Sequence, residues 1–251
     1  MFHLAAFVQS IDPGLVLTPI TAAREEMLFT NGPDLRIPVS LTKIAGAMAC
    51  MNDASLVRAQ LQAPSLRVQT NIDIEPIIQA ANFGAIADQG AWAFDTPMSL
   101  IEDEALNFAM QSDPAAAVIH AGLVMLSDGP LTPVAGSVFT VRATSAVVQT
   151  AVGWTNGNLT LGQVLPAGEY AVVGARFRSA DAIAGRFVFS AQVPRPGLPA
   201  VSLIGARELA RFRSGGLGVW GVFPNTIPPT IDWLGGVAVT QVVLLDLLRV
   251  S

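Results

Sequence analysis

Short apolar segments separated by proline and glycine constrain the fold of this chain more than any other feature of its sequence. In the second half they recur at intervals of about 10–20 residues, and no stretch with a helical period interrupts them. The segments are residues 137–143 (SVFTVRA), 158–161, 169–178 (EYAVVGARFR), 185–190, 217–223 and 237–250. This spacing is typical of a sandwich or jelly roll and disfavours alternating strands and helices.

The first half predicts strands together with short helical segments. Residues 68–74 (VQTNIDI) alternate as a strand does, and residues 115–126 have the length and apolar content of a fully buried strand. Residues 36–50 fit either a pair of strands or a strand that runs into a helix. Residues 53–61 predict a short helix that Asn52 or Asp53 would cap.

A segment with two prolines and a glycine, residues 128–133 (DGPLTP), is the best domain boundary in the chain. It divides the sequence into residues 1–128 and residues 129–251. The first part carries 14 acidic and 5 basic residues, net −9, and the second carries 5 acidic and 9 basic residues, net +4, which together give the overall −5. Opposite signs on the two parts favour packing between copies of the chain.

The two parts repeat one order of features. Residues 90–94 (GAWAF) and residues 218–223 (GVWGVF) each precede a proline-containing segment and a final apolar strand. The final strands end at Leu126 and at Val250. Two copies of one β-fold in tandem would produce this order.

The composition favours burial between subunits. The chain is 51% hydrophobic and 13% charged, against about 25% charged in an average soluble domain. No run of 18 or more purely apolar residues exists to explain the excess as a membrane-spanning helix. We therefore expect an obligate assembly. Residues 1–10 lack the pattern of a signal peptide, and the single Cys50 is most simply a small buried hydrophobe, so we expect synthesis in a cytosol.

Several patterns resemble catalytic or binding motifs and are better explained otherwise. Residues 216–221 match G-x-G-x-x-G, but the prolines that follow prevent the helix which a dinucleotide site needs, so a bent strand is expected. Of the two histidines, His3 is expected in a mobile terminus and His120 inside an apolar strand. One cysteine and two histidines cannot build a usual zinc site. We therefore expect no enzyme activity, no cofactor and no metal.

Charged clusters are few. The acidic run of residues 102–104, with Asp73 and Glu75, could hold calcium or act as a glycosidase acid and base, but a solvated charged edge is the preferred interpretation. The only basic concentration suits an ordinary solvated or interface face better than a nucleic-acid site. It consists of Arg207, Arg211 and Arg213.

Large aromatic side chains are the predicted packing residues, within the core or between subunits. The alternative for the tryptophans is a platform that stacks on sugars. The predicted residues are Trp92, Trp154, Trp220, Trp233, Phe187 and Phe189.

A series of strand and turn phrases in residues 129–250 resembles the structural proteins of small icosahedral bacteriophages whose capsomers are built from double jelly rolls. In the first part only residues 64–67 (PSLR) are similar. The phrases are residues 129–133 (GPLTP), 139–143 (FTVRA), 154–156 (WTN), 165–174 (LPAGEYAVVG), 195–197 (RPG), 212–215 (FRSG), 218–221 (GVWG) and 244–247 (LLDL).

The resemblance implies an all-β fold with two tandem eight-stranded jelly rolls, residues 1–128 and residues 129–251, with short helical insertions. It implies homotrimers that assemble into a virion shell. Other capsid or vertex proteins, and an internal membrane or a genome bound without sequence specificity, would be the further partners. At 251 residues the chain is short for this architecture and would be a compact version or a minor component.

Two other functions remain open from the sequence. A β-sandwich binding module, such as a spike or fibre protein or a carbohydrate-binding protein, would expose its tryptophans. A hydrolase on a β-sandwich would use Glu102, Asp103 or Glu104.

Overall fold

A computed structural model of the chain describes residues 1–23, 30–31, 34–51, 56–66, 72–74, 76–77, 93–113, 118–147, 152–179, 182–201, 215–235 and 239–251. Within these ranges the regular structure consists of β-strands, and no α-helix occurs. The all-β prediction is confirmed. The short helical insertions that we predicted are absent from the described residues.

The strands before residue 128 form two sheets. A five-stranded sheet has the order β1–β11–β5–β8, with β9 also paired to β5, and a six-stranded sheet has the order β3–β4–β10–β6–β7, with β2 also paired to β10. The strands are β1 (Phe2–Ile11), β2 (Thr18–Ile20), β3 (Thr30–Asn31), β4 (Asp34–Arg36), β5 (Lys43–Met51), β6 (Leu56–Gln62), β7 (Ile72–Ile74), β8 (Pro76–Ile77), β9 (Ala93–Ser99), β10 (Ala105–Ser112) and β11 (Val118–Ser127).

The strands after residue 128 form one nine-stranded sheet that folds back on itself. Its order is β13–β19–β16–β17–β15–β20–β12–β14, with β18 also paired to β15. The sheet curls at β17, which pairs antiparallel with β16 and parallel with β15. The strands are β12 (Val138–Val147), β13 (Trp154–Gly157), β14 (Thr160–Leu161), β15 (Glu169–Arg178), β16 (Ala184–Val188), β17 (Gly197–Val201), β18 (Gly221–Pro224), β19 (Thr230–Leu234) and β20 (Val239–Arg249).

The two groups of strands repeat one pairing order. In the first group β1, β11, β5 and β9 are neighbours, as are β12, β20, β15 and β18 in the second. We call each of these sets a long-strand layer. The strands β4, β10, β6 and β7 are neighbours in the same way as β13, β19, β16 and β17, and we call each of these sets a short-strand layer. Strands β1–β11 are called the first sandwich and strands β12–β20 the second sandwich.

The first sandwich has a hydrophobic core of its own, and the core of the second also includes Phe2, Ala45 and Met125 of the first. The first core packs Phe7 and Phe108 among aliphatic side chains, and the second packs Phe177, Phe187 and Trp233. Strand β12 follows the alternation that its sequence predicts, with Val141 and Ala143 buried and Thr140 and Arg142 exposed. Strand β11 is buried on both faces over most of its length, as expected from residues 115–126.

The predicted helix over residues 53–61 is wrong. Residues 56–61 lie in β6, which pairs with β10 in an antiparallel ladder. Ala59 and Leu61 enter the first core, whereas Arg58 is exposed. A helical interpretation was possible because Ala, Leu, Gln and Arg all favour helices locally. The ladder with β10 overrides that preference. Residues 36–50 contain no helix either: Arg36 ends β4 and residues 43–50 belong to β5, and these two strands lie in different sheets.

Candidate functional site

The contact between the two sandwiches is a buried candidate for a functional surface. The outer face of the first long-strand layer packs against side chains of the second short-strand layer and the residue that precedes β16. Near the chain start, Phe2 meets Trp220 in an edge-on contact, with 5.2 Å between ring centroids. The buried apolar residues of this junction are Leu4, Ala6, Val8, Ala23, Met48, Cys50, Ala121 and Leu123 from residues 1–128, and Ile183, Ala184 and Leu234 from the second sandwich.

A buried ionic cluster lies inside the junction. The Nε atom of Arg186 donates to Oδ2 of Asp232 at 2.9 Å, and Nη1 of Arg195 donates to the same oxygen at 2.8 Å. Arg186 is 0% exposed and Asp232 is 2% exposed. Nδ2 of Asn156 donates to the other carboxylate oxygen at 2.8 Å. One carboxylate therefore holds two guanidinium groups, which is the kind of pairing that a buried charge requires.

The same cluster joins the second sandwich to β1. Nη1 of Arg186 donates to the backbone carbonyl of Leu4 at 3.3 Å, and the backbone N–H of Leu4 donates to the carbonyl of Arg195 at 3.0 Å. The backbone N–H of Arg195 donates to Nδ1 of His3 at 2.9 Å. These bonds cover an edge of β1 that would otherwise be open to pairing with another chain.

His3 is a fully buried member of this cluster, so its predicted place in a mobile terminus is wrong. The side chain is 0% exposed, because β1 pairs with β11 from Phe2 onward and the second sandwich covers the strand. Burial lowers the pKa of His3 well below its usual value, and repulsion from Arg186 and Arg195 lowers it further. His3 is therefore a neutral imidazole that accepts a hydrogen bond at Nδ1.

The predicted packing residues that the structure describes lie in or beside the second core. Trp220, Trp233, Phe187 and Phe189 are buried, and Phe187 lies 6.0 Å from both Phe189 and Trp220, measured between ring centroids. Trp154 is half-buried at the junction, where the guanidinium carbon of Arg186 lies 4.0 Å from its ring centroid, in a cation–π contact. Trp92 lies outside the described residues.

Among the described residues, the faces equivalent to the junction carry mainly exposed and half-buried side chains. On the second long-strand layer, Arg142 stands opposite Leu244, and Leu244 stands opposite Arg176. Arg176 donates to the buried carboxylate of Asp246 at 2.7 Å, and so does the hydroxyl of Thr140 at 2.6 Å. This face therefore combines half-buried aliphatic side chains with positive charge.

The outer face of the first short-strand layer is polar. Asn107 stands opposite Gln62 and Gln111 opposite Arg58, and Arg58 forms an exposed ion pair with Asp73 at 2.8 Å. Amide side chains can donate and accept, so this face can form hydrogen bonds with many partners.

We expected the acidic run of residues 102–104 to form a solvated edge, and this prediction is wrong for one of its three residues. Glu102 and Asp103 are exposed, but Glu104 is 8% exposed and its carboxylate accepts hydrogen bonds from the backbone N–H groups of Ser65 and Ile101, at 2.9 and 2.6 Å, and from the Ser65 hydroxyl. Asp73 has different partners, Arg58 and Gln60. Glu75 lies outside the described residues.

The other residues that the sequence analysis considered for catalysis or binding are described next. His120 is buried in β11 and its Nδ1 donates to the carbonyl of Val118 at 3.1 Å. Burial raises the pKa of Cys50 to about 12, as for a thiol within apolar surroundings. Residues 215–217 form a turn and Gly221 begins β18, so the glycines of residues 216–221 lie in a turn and in the segment that leads into this strand. Arg207, Arg211 and Arg213 lie outside the described residues.

Within the described ranges, no three His, Cys, Asp or Glu side chains are grouped in a way that could hold a metal ion. The described part of the chain also contains no helix with the length and apolar character that a membrane crossing requires. No family model, no curated protein and no solved structure matches this chain.

Sequence reasoning missed the ionic cluster, although a signal for it exists. Arg186 and Asp232 each interrupt an otherwise apolar strand, in GRFVF and TIDWL. When each of two apolar strands contains one charged residue and the two charges are opposite, the pattern indicates a buried ion pair. Burying an unpaired charge would cost too much free energy. Nothing local indicates that His3 and Leu4 complete the cluster.

Proposed function

We propose that this chain is a viral capsid structural protein, built from two tandem jelly rolls, that assembles into trimers and then into an icosahedral shell. The observation that supports this best is the repeated pairing order. Each sandwich can be numbered as eight principal strands when β2–β4 count as one interrupted strand, β7 and β8 count as one, and the two-residue β14 is left out. The long-strand layer then holds the first, eighth, third and sixth strands, and the short-strand layer holds the second, seventh, fourth and fifth. A jelly roll of two Greek keys would have this order, and the order therefore supports the proposal.

The interruption in the second strand is consistent with this assignment. Strand β2 pairs with β10 at Phe108–Met110, and β4 pairs with β10 at Ala105 and Leu106. The two segments therefore follow one edge of β10 in succession, where a single strand, β13, follows β19 in the second sandwich.

Self-assembly follows from repetition of the junction between copies. Within one chain, the first long-strand layer packs on the second short-strand layer. The second long-strand layer and the first short-strand layer are the equivalent faces that this contact leaves uncovered. If copies use them for the same kind of contact, each copy binds the next through different faces, and a ring closes when the rotation permits. Three copies would place six sandwiches in one ring.

The binding-module alternative finds less support in the described tryptophans. Trp220 is 1% exposed and Trp233 is 0% exposed, so neither offers a ring face to a sugar. The ring of Trp154 is occupied by the guanidinium group of Arg186. A stacking platform needs exposed aromatic faces, and these three residues do not provide one.

The assembly proposal is tested by the native mass of the purified protein, measured by light scattering, with negative-stain imaging of the same sample. We expect a trimer of about 79 kDa (three times 26.2 kDa) or shell-like particles. A monomer across a wide concentration range would overturn the proposal and favour a binding module.

Leu244→Glu tests the proposed face. Leu244 is half-buried between Arg142 and Arg176 on neighbouring strands, so a glutamate there has cationic partners and the monomer should still fold. In a contact with another copy, the substitution removes the burial of the leucine side chain and forces a charged carboxylate out of water. We therefore expect the association constant for assembly to fall at least tenfold. Val164→Glu is the matched control, because Val164 is 95% exposed in a loop. Equal assembly of the two variants would exclude this face.

A further inference from the structure

The hydrogen bonds at His3 connect a titratable group to the contact between the sandwiches. Nδ1 of His3 accepts the backbone N–H of Arg195, and the adjacent Leu4 exchanges hydrogen bonds with Arg195 and Arg186. An imidazole nitrogen that accepts a hydrogen bond carries no proton. Protonation of Nδ1 therefore requires that the bond to Arg195 breaks.

The charges around His3 also oppose protonation. Arg186 from β16 and Arg195 from the loop before β17 face it, and both are held by one carboxylate, Asp232 of β19. On the side of the first sandwich, the N-terminal ammonium is paired with Asp128 at 2.6 Å. A protonated His3 would thus be a third cation beside two guanidinium groups and one carboxylate, and its complete burial limits the screening of these charges by solvent.

We propose that His3 makes the junction between the two sandwiches sensitive to acid: protonation of Nδ1 breaks the hydrogen bond to Arg195 and separates the start of β1 from the second sandwich. The rest of each sandwich keeps its own core and its own strand pairing. This proposal depends on the junction within one chain and does not require assembly, so the two proposals can fail separately.

The direction of the pH dependence follows from proton uptake. The closed junction holds His3 neutral because its pKa is lowered, whereas in the open state His3 titrates near the ordinary value of about 6.5. Opening therefore takes up a proton below that pH. The junction keeps its full stability above about pH 6.5, and the opening equilibrium rises by up to about tenfold for each pH unit below it, until the pH reaches the lowered pKa of the closed state.

Hydrogen exchange measures the opening directly. The backbone N–H groups of Leu4 and Arg195 are donors in the junction, so they exchange only when it opens. After correction for the intrinsic exchange rate at each pH, we expect protection of both to fall by at least tenfold between pH 7.5 and pH 5. Amides in the ladder between β12 and β20 should keep their protection over the same range.

His3→Asn removes the titration and keeps an acceptor, since the asparagine Oδ1 can receive the N–H of Arg195. We expect this variant to keep the protection of Leu4 and Arg195 at pH 5. His120→Asn is the matched control, because His120 lies in β11 and its Nδ1 bonds to Val118. We expect it to lose the protection of Leu4 and Arg195 as the unaltered protein does. An equal loss in His3→Asn and the unaltered protein would overturn the proposal.

A second measurement does not depend on the folding of His3→Asn. The chain has two histidines, so in His120→Asn the single imidazole signal in a proton NMR spectrum belongs to His3. We expect that signal to titrate over the same pH range in which Leu4 and Arg195 lose protection. Titration near pH 6.5 with protection unchanged would show that protonation does not open the junction and would overturn the proposal.

Discussion

At the residue scale, the side chain of Glu104 connects two loops through hydrogen bonds to their backbone. Its carboxylate accepts the N–H groups of Ser65 and Ile101 and thereby connects the loop after β6 to the loop before β10. Glu102, two residues earlier, is exposed. Composition alone treats the two as one acidic cluster, but only one of them is buried.

Glu104→Ala is expected to lower the free energy of unfolding by about 1.5–3 kcal/mol. The substitution removes a charged acceptor and leaves the partly buried donors of Ser65 and Ile101 without a hydrogen-bond partner. The free energy of unfolding from urea titrations measures the effect. Glu102→Ala is the control and should stay within about 0.5 kcal/mol of the unaltered protein. Equal effects at the two positions would contradict the assigned role of Glu104.

At the element scale, the linker between the sandwiches is held by the turn before β18. The backbone N–H of Gly215 donates to Val173 of β15 at 2.7 Å, and its carbonyl accepts the N–H of Val134 at 2.8 Å. Gly215 has φ +78°, and a Cβ there would lie 2.3 Å from the carbonyl oxygen of Val134. The turn therefore requires glycine for both its conformation and its contact with the linker.

Gly215→Ala should lower the free energy of unfolding by more than about 2 kcal/mol, through strain at positive φ and displacement of the linker. Gly14→Ala separates the two causes. Gly14 has φ +61°, but nothing lies within 4 Å of an added Cβ, so only the conformational cost of about 1 kcal/mol applies. Thermal and urea unfolding of both variants would show the difference, and equal costs would mean that linker contact contributes nothing.

Element identity was predictable where a short apolar segment alternates or lies between turn residues. Residues 138–143 lie in β12, residues 169–178 form β15, and residues 237–250 contain β20. The prediction failed for β6, where the residues favour a helix locally and the ladder with β10 determines the strand. Local preferences of a few tenths of a kcal/mol for each residue are smaller than the gain from pairing and burial.

At the scale of the whole molecule, the junction makes the two sandwiches one stability unit. The outer face of the first long-strand layer is apolar and is covered by the second sandwich, with Leu4, Met48 and Leu123 fully or almost fully buried. Separation would expose this face to water, at about 25 cal/mol for each Å² of apolar area. Neither sandwich should therefore unfold without affecting the other at neutral pH.

Two probes can test this cooperativity. Cys50 lies in β5 on the face that the second sandwich covers, and its pKa is raised to about 12, so a thiol reagent should label it only after the sandwiches separate or the first one unfolds. Trp220 and Trp233 report on the second core by fluorescence. At pH 7.5 we expect both probes to change at the same urea concentration. Separate midpoints would show that the sandwiches unfold independently.

The amino-acid sequence by itself determined that the chain is all-β, and it indicated a boundary near residues 128–133 and a repeated order of features. These properties depend on neighbours in the chain: alternation, turn residues and apolar content. Only the tertiary structure decided which strands are neighbours and which polar residues are buried. The hydrogen bond between His3 and Arg195 spans 192 positions, and that between Arg186 and Leu4 spans 182. Contacts of such separation result from the packing of layers, which no local pattern records.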